Sequence, residues 1–155
     1  MSENERKIPG KLEKPNSQYI YLVKIGNGNL APRDNIFKIG KSANLKQRLR
    51  LLCQEFGATI TLFAYGCSGS PREIEHSLHS HFWEFGYSFL KGENYPKWSN
   101  EYFHFENDVL CGVFTTFTQF CDDVVIFEKP RPKMVYSGNY EIINGKIIPL
   151  VQEDE

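Results

Sequence analysis

Apolar and β-branched residues crowd Tyr19-Ile20-Tyr21-Leu22-Val23-Lys24-Ile25, a composition that predicts a first strand. Glycine, asparagine and proline fill Gly26 to Asn35, and Ile36-Phe37-Lys38-Ile39 then resumes as a second strand that stops at Gly40. The two read as an antiparallel hairpin with a long loop. Leu45, Leu49, Leu52 and Phe56 recur at steps of four, three and four, which predicts a helix over 44–56 ending at Gly57. Asn44 followed by Gln47 resembles a capping box at its start. Thr59 to Tyr65 alternates and is β-rich, giving a third strand.

Ser70-Pro71-Arg72-Glu73 combines an N-cap residue, a proline at the first helical position and a glutamate at the third. It opens a helix over 71–85 whose apolar stripe is Ile74, Leu78, Phe82 and Phe85. An aromatic loop follows to Asn100, with Tyr102-Phe103-His104-Phe105 as a short strand. Val109, Leu110, Val113, Phe114, Phe117 and Cys121 mark a third helix, and Tyr140 to Leu150 reads as a hairpin around Asn144-Gly145. The order predicts an α+β fold with a small antiparallel sheet of about three strands flanked by helices. It divides into a flexible basic arm over 1–18, a domain over 19–105, and a C-terminal helix and hairpin extension over 106–155.

Composition narrows the class without naming a function. The chain has 155 residues, 41% of them hydrophobic and 24% charged, which is ordinary for one globular domain. No apolar run approaches the length of a membrane span, and the polar segment Met1 to Gln18 does not resemble a secretory signal. Cys53, Cys67, Cys111 and Cys121 are far apart, so a disulfide scaffold or zinc finger is disfavoured and an intracellular, reducing location is expected. Charge is uneven: residues 1–50 carry +7 and residues 51–155 carry −8, for a net −1. A local basic face is therefore compatible with DNA despite the near-neutral total.

The histidines test a metal reading. His76, His79 and His81 form H-x-x-H-x-H on one predicted helix. Two residues turn a helix by about 200°, so His81 points away from His79 and the three do not make a zinc site by themselves.

Tyr19-Ile20-Tyr21, then Lys38-Ile39-Gly40-Lys41-Ser42-Ala43-Asn44-Leu45, then Arg48, Glu75 within Ile74-Glu75-His76-Ser77-Leu78-His79, and Asn100-Glu101-Tyr102-Phe103 follow one another in order. This set, spanning about residues 19–105, resembles the GIY-YIG nuclease superfamily, and within it the phage T5 Orf172-type branch. The resemblance implies a metal-dependent DNA endonuclease or nicking enzyme using Mg²⁺ or Mn²⁺. It places Tyr21 as the tyrosine of the first motif, Arg48 as the phosphate clamp and Glu75 as the metal-binding carboxylate. Lys38 stands where the second tyrosine usually stands, as a base or a phosphate contact, and His79 stands where a histidine touches the same phosphate or metal. The late asparagine of the pattern has Asn100 as its counterpart. Lys38, Lys41, Lys46, Arg48 and Arg50 are the expected DNA-backbone contacts.

Each residue also has a plainer explanation. Tyr21 is compatible with simple packing, Arg48 with a stem lying along the core, and Glu75 with a solvated helix surface. A non-catalytic DNA-binding module on the same scaffold is the alternative function. A protein-interaction or inhibitor module is the second alternative, with a protein partner meeting the C-terminal extension.

Overall fold

A computed structural model describes residues 16–26, 35–56, 59–88 and 101–127, together with backbone strands at 132–133, 135–137, 140–143 and 146–149. The elements run β1 (Gln18–Gly26), β2 (Ile36–Ser42), α1 (Leu45–Phe56), β3 (Thr59–Ser68), α2 (Pro71–Glu84), β4 (Tyr102–His104), α3 (Leu110–Phe120), β5 (Asp122–Ile126), β6 (Pro132–Lys133), β7 (Val135–Ser137), β8 (Tyr140–Ile143) and β9 (Lys146–Pro149). The mixed α+β class is as expected, but the sheet is larger than three strands. Its order is β4-β2-β1-β3-β5, with β6 also paired to β3, and every pairing is antiparallel. β7, β8 and β9 form a separate sheet, in which β8 and β9 are the expected C-terminal hairpin.

β1 is the middle strand, and its alternating side chains serve two cores. Tyr19, Tyr21, Val23 and Ile25 join Leu45, Leu49, Leu52 and Cys53 of α1 on one face. Ile20 and Leu22 join Leu78 and Phe82 of α2 and Val113 and Phe117 of α3 on the other. The fold is thus three layers, with α1 alone on one side and α2 with α3 on the other. α3 and β5 belong to this main body. A bulge in β3 maintains the pattern: Leu22 pairs with Ala64 but Val23 with Leu62, so Phe63 is the extra residue. Phe63 and Ala64 both serve the α2–α3 core, while Leu62 and Tyr65 turn to the other.

The helix starts follow their sequence signals with two changes. Asn44 Oδ1 accepts the Gln47 amide at 3.1 Å, as a cap should, but the return bond of a capping box is replaced by Ser42 Oγ, which accepts the Asn44 amide at 3.1 Å. At α2, Pro71 takes the first helical position, yet Ser70 makes no side-chain cap. Phe85 is 65% exposed at the end of α2 and does not belong to the buried stripe, which is Leu78, His79 and Phe82.

Several expected features fall outside the described residues: the basic arm up to residue 15, the helix stop at Gly57, the loop over 89–100 with Asn100, and the Asn144-Gly145 turn. Among the described residues no helix is long and apolar enough to cross a membrane.

Candidate active site

β4 is short, and that shortness creates the site. It pairs with Ile36, Phe37 and Lys38 only, leaving the rest of β2 without a β4 partner on that side. The Ile39 amide still donates to the Glu101 carbonyl at 3.1 Å. The Ile39 carbonyl instead accepts from Nε2 of His79 at 2.8 Å. A buried main-chain carbonyl requires a donor, and here a side chain of α2 supplies it where the ladder ends. The bond assigns the proton of His79 to Nε2. His79 is 6% exposed, with its ring between Trp83 and Phe103 at centroid distances of 5.8 and 5.7 Å.

Tyr21 and Lys38 lie on the α1 side of the sheet. Tyr21, 1% exposed, is the register partner of Gly40. A Cβ on Gly40 would fall 2.6 Å from Cζ of Tyr21 and 3.0 Å from Nζ of Lys38. Only a residue without a side chain lets the tyrosine lie across β2 at this point. Burial pushes the Tyr21 hydroxyl above the usual tyrosine value, although the Lys38 and Arg48 charges pull the other way.

Lys38 is 8% exposed, and its Nζ donates to Oε1 of Glu101 in an ion pair. It lies 5.7 Å from the ring centroid of Tyr21 and 5.4 Å from that of Tyr102. Burial alone would favour the neutral amine, but the Tyr21 oxygen and the Glu101 carboxylate outweigh it, so the Lys38 pKa is raised. The partner shows the complementary effect: burial opposes ionisation of Glu101, and Lys38 overcomes it and holds the carboxyl below its usual range.

Glu75 reaches the same neighbourhood from the first turns of α2. Burial raises its pKa, Glu101 adds to the rise, and His79, Lys41 and Lys38 oppose it. Arg48 comes from α1 on the opposite face, where its charge reaches both Tyr21 and Tyr102. Charge thus links Tyr21 to Lys38 and Arg48, and Glu75 to Lys38, Lys41 and His79, with Lys38 common to both sets.

Lys46 and Arg50 stand elsewhere around α1 than Arg48 does. Arg48 is two residues from each, about 200° around α1, whereas Lys46 and Arg50 are four apart and share the other flank. The expected basic face is thus divided, with Lys38 buried in an ion pair and Arg48 exposed on its own flank. The histidines also separate. His76 is exposed near Ser80 and Trp83, while His81 packs on Phe85 and Phe120, toward α3.

Glu101 and Tyr102 are the residues that sequence reasoning left without a role. A signal for Glu101 existed: a lysine inside a β-rich hairpin strand requires an acid on a neighbouring element if it is buried charged.

Among the described residues, no three His, Cys, Asp or Glu side chains gather to hold a metal ion. The carboxylates of the site are Glu75 and Glu101, the latter already engaged by Lys38. Glu75 suits a cation that takes one or two protein carboxylates and completes its shell with water and phosphate oxygen, as Mg²⁺ does.

The architecture defines an α+β domain whose mixed-charge site assembles where a short edge strand ends. A family model for the T5orf172 domain matches residues 18–117, and the chain belongs to that family. The match reaches from the first residue of β1 into α3. Comparison with curated proteins and with solved structures gives no match.

Proposed function

We propose that this T5orf172 domain binds DNA through its phosphodiester backbone and nicks it with one divalent metal, Mg²⁺ or Mn²⁺, in the manner of GIY-YIG nucleases. The supporting observation is that Tyr21 and Lys38 lie close together on β1 and β2, with the Arg48 charge acting on Tyr21 from α1 and the Glu75 carboxylate acting on Lys38 from α2. Phosphodiester cleavage needs a positive group on the non-bridging oxygens, a carboxylate for the metal, and an acceptor for the proton of the attacking water.

Arg48 is exposed and offers a planar guanidinium to two phosphate oxygens. Glu75 would hold the metal, which when bound polarises the phosphate. Tyr21 orients the attacking water and would take its proton after releasing the phenol proton to solvent, a step that burial opposes and the Lys38 and Arg48 charges only partly offset. His79 fixes α2 to β2 through the Ile39 carbonyl and so sets the position of Glu75, one turn earlier on the same helix face. Lys46 and Arg50 on the other flank of α1 add backbone contacts away from the reacting phosphate.

The second reading, a non-catalytic DNA-binding module, draws support from Lys38. An ion-paired ammonium stands where GIY-YIG nucleases usually place a second tyrosine hydroxyl.

Nicking of supercoiled plasmid, with metal and with chelator, tests the proposal alongside gel-shift binding of the same DNA. Metal-dependent nicking lost in Glu75→Ala, with binding retained, is the expected result. Binding without nicking in every metal leaves the second reading, and absence of both removes DNA as the substrate class.

A further inference from the structure

Lys38 has an uncommon setting for a strand lysine. Its neighbours across the sheet are Val23 of β1 and Tyr102 of β4, and 8% of it is exposed. An isolated ammonium in such surroundings releases its proton or forces the structure to open. Glu101 prevents both. Its carboxylate meets Nζ directly, and its main-chain carbonyl is tied to the amide of Ile39, the residue after Lys38. The acid is therefore held by the backbone of the strand whose lysine it neutralises. The ring centroids of Tyr21 and Tyr102 lie 5.7 and 5.4 Å from the ammonium, within cation–π range.

We propose that Glu101 is a positioning residue of this site: it fixes Lys38 as a permanent ammonium beside the Tyr21 hydroxyl, so Lys38 acts as a fixed positive charge and never takes the proton of the attacking water. The catalytic consequence rests on the nuclease reading above, but the pairing is measurable without DNA. The groups facing Lys38 are Tyr21 from β1, Glu101 and Tyr102 at β4, and Glu75 from α2. Arg48, Lys41 and His79 act on those same groups. Of the acids, Glu101 alone has a hydrogen bond to Lys38 among the described contacts. Its loss removes that bond and its charge, leaving only Tyr21 and Glu75 to oppose burial.

The test is side-chain ¹⁵N NMR of Lys38, assigned by its disappearance in Lys38→Met. Wild type should show a protonated amine throughout the pH range in which the fold persists. Glu101→Gln should move the titration to lower pH by one unit or more, and Glu101→Asp should recover part of that shift. An unchanged Lys38 titration in folded Glu101→Gln overturns the proposal.

Denaturant unfolding supplies a second measurement. The variant Lys38→Met with Glu101→Gln removes both charges together, and its unfolding constant should be about tenfold closer to wild type than the two single effects combined predict. Additive effects overturn the pairing. If Glu101→Gln does not fold, a folded double variant supports the pairing, whereas failure of both overturns it. In nicking assays Glu101→Gln should lower kcat about tenfold or more with little change in KM. Its alkaline limb should move in step with the Lys38 titration. A protein that shows the NMR shift but never nicks DNA refutes the nuclease reading and leaves the assignment of Glu101 intact.

Discussion

Tyr21 lies across Gly40. The two are directly paired between β1 and β2, and the ring fills the volume that any side chain at position 40 would claim, with Cζ 2.6 Å from the place of a Cβ. This contact lets a phenol buried at 1% exposure come close to the Lys38 ammonium. A two-residue steric fit therefore sets the geometry of the candidate base.

Gly40→Ala should destabilise the protein by about 1–3 kcal/mol, the usual range for overpacking a closed core. Adding Tyr21→Phe removes the nearest atom and should recover part of the loss. Urea denaturation of the three variants measures this, and an alanine tolerated without cost would contradict the geometry.

His79→Phe keeps an aromatic ring between Trp83 and Phe103 but removes the donor to the Ile39 carbonyl. Leaving that buried carbonyl unpaired should cost about 1–3 kcal/mol in thermal or urea unfolding. Nicking should fall with it, because α2 loses its fixed place on β2. Equal stability of variant and wild type would mean that ring packing alone holds the helix.

The two carboxylates of the site should respond to pH with opposite signs. Glu75 has a raised pKa, mainly from burial, so its contribution to stability is greatest when it is protonated and is lost as pH rises through that pKa. Glu75→Gln should thus be slightly more stable than wild type at neutral pH, by less than about 1 kcal/mol for so partly solvated a group, and the gain should vanish on acidification. Glu101 is depressed: burial opposes ionisation but Lys38 prevails, so its contribution is present at neutral pH and lost as pH falls through the depressed pKa. Glu101→Gln should be the less stable protein at neutral pH and should converge with wild type in acid. Melting curves from about pH 3 to 8 compare the two.

Arg48 is exposed, so Arg48→Lys should change stability by no more than about 0.5 kcal/mol. Nicking should nevertheless fall about 10²–10³-fold, since an ammonium does not reproduce the guanidinium fork on phosphate. Charge reversal at Lys46 and Arg50 should act differently, weakening DNA binding and flattening its log–log salt slope by about one unit per lost phosphate contact. Binding that ignores both salt and these substitutions would remove the α1 interface.

Local signals in the sequence located β1, β2, β3, α1 and α2 because each rests on neighbours in the chain: the alternation of Tyr19 to Ile25, the Asn44 cap, Pro71 at the first turn. β5 escaped because it begins with Asp122-Asp123, and Asp123 has a φ of 51°, so its apolar part is three residues long. The bulge at Phe63 is equally silent, since a strand with one extra residue still reads as β-rich. Resemblance brought Tyr21, Arg48 and Glu75 together as one set. It did not provide the Lys38–Glu101 pair, whose members are 63 residues apart and meet only after β4 docks on β2. It also treated the basic residues as one face, whereas helix geometry divides them.

The central place of β1 has a consequence in time. Flanked by β2 and β3 along nearly its whole length, β1 presents no edge, and its amide protons exchange with solvent chiefly when the whole domain unfolds. Arg48 and Glu75 ride on α1 and α2, whose solvent-facing amides are expected to exchange sooner than those of β1. The candidate site thus joins the central strand to the helical layers on either side of it. A phosphate backbone seated across them would slow deuterium uptake in α1 and α2 and leave β1, already near its limit, almost unaltered.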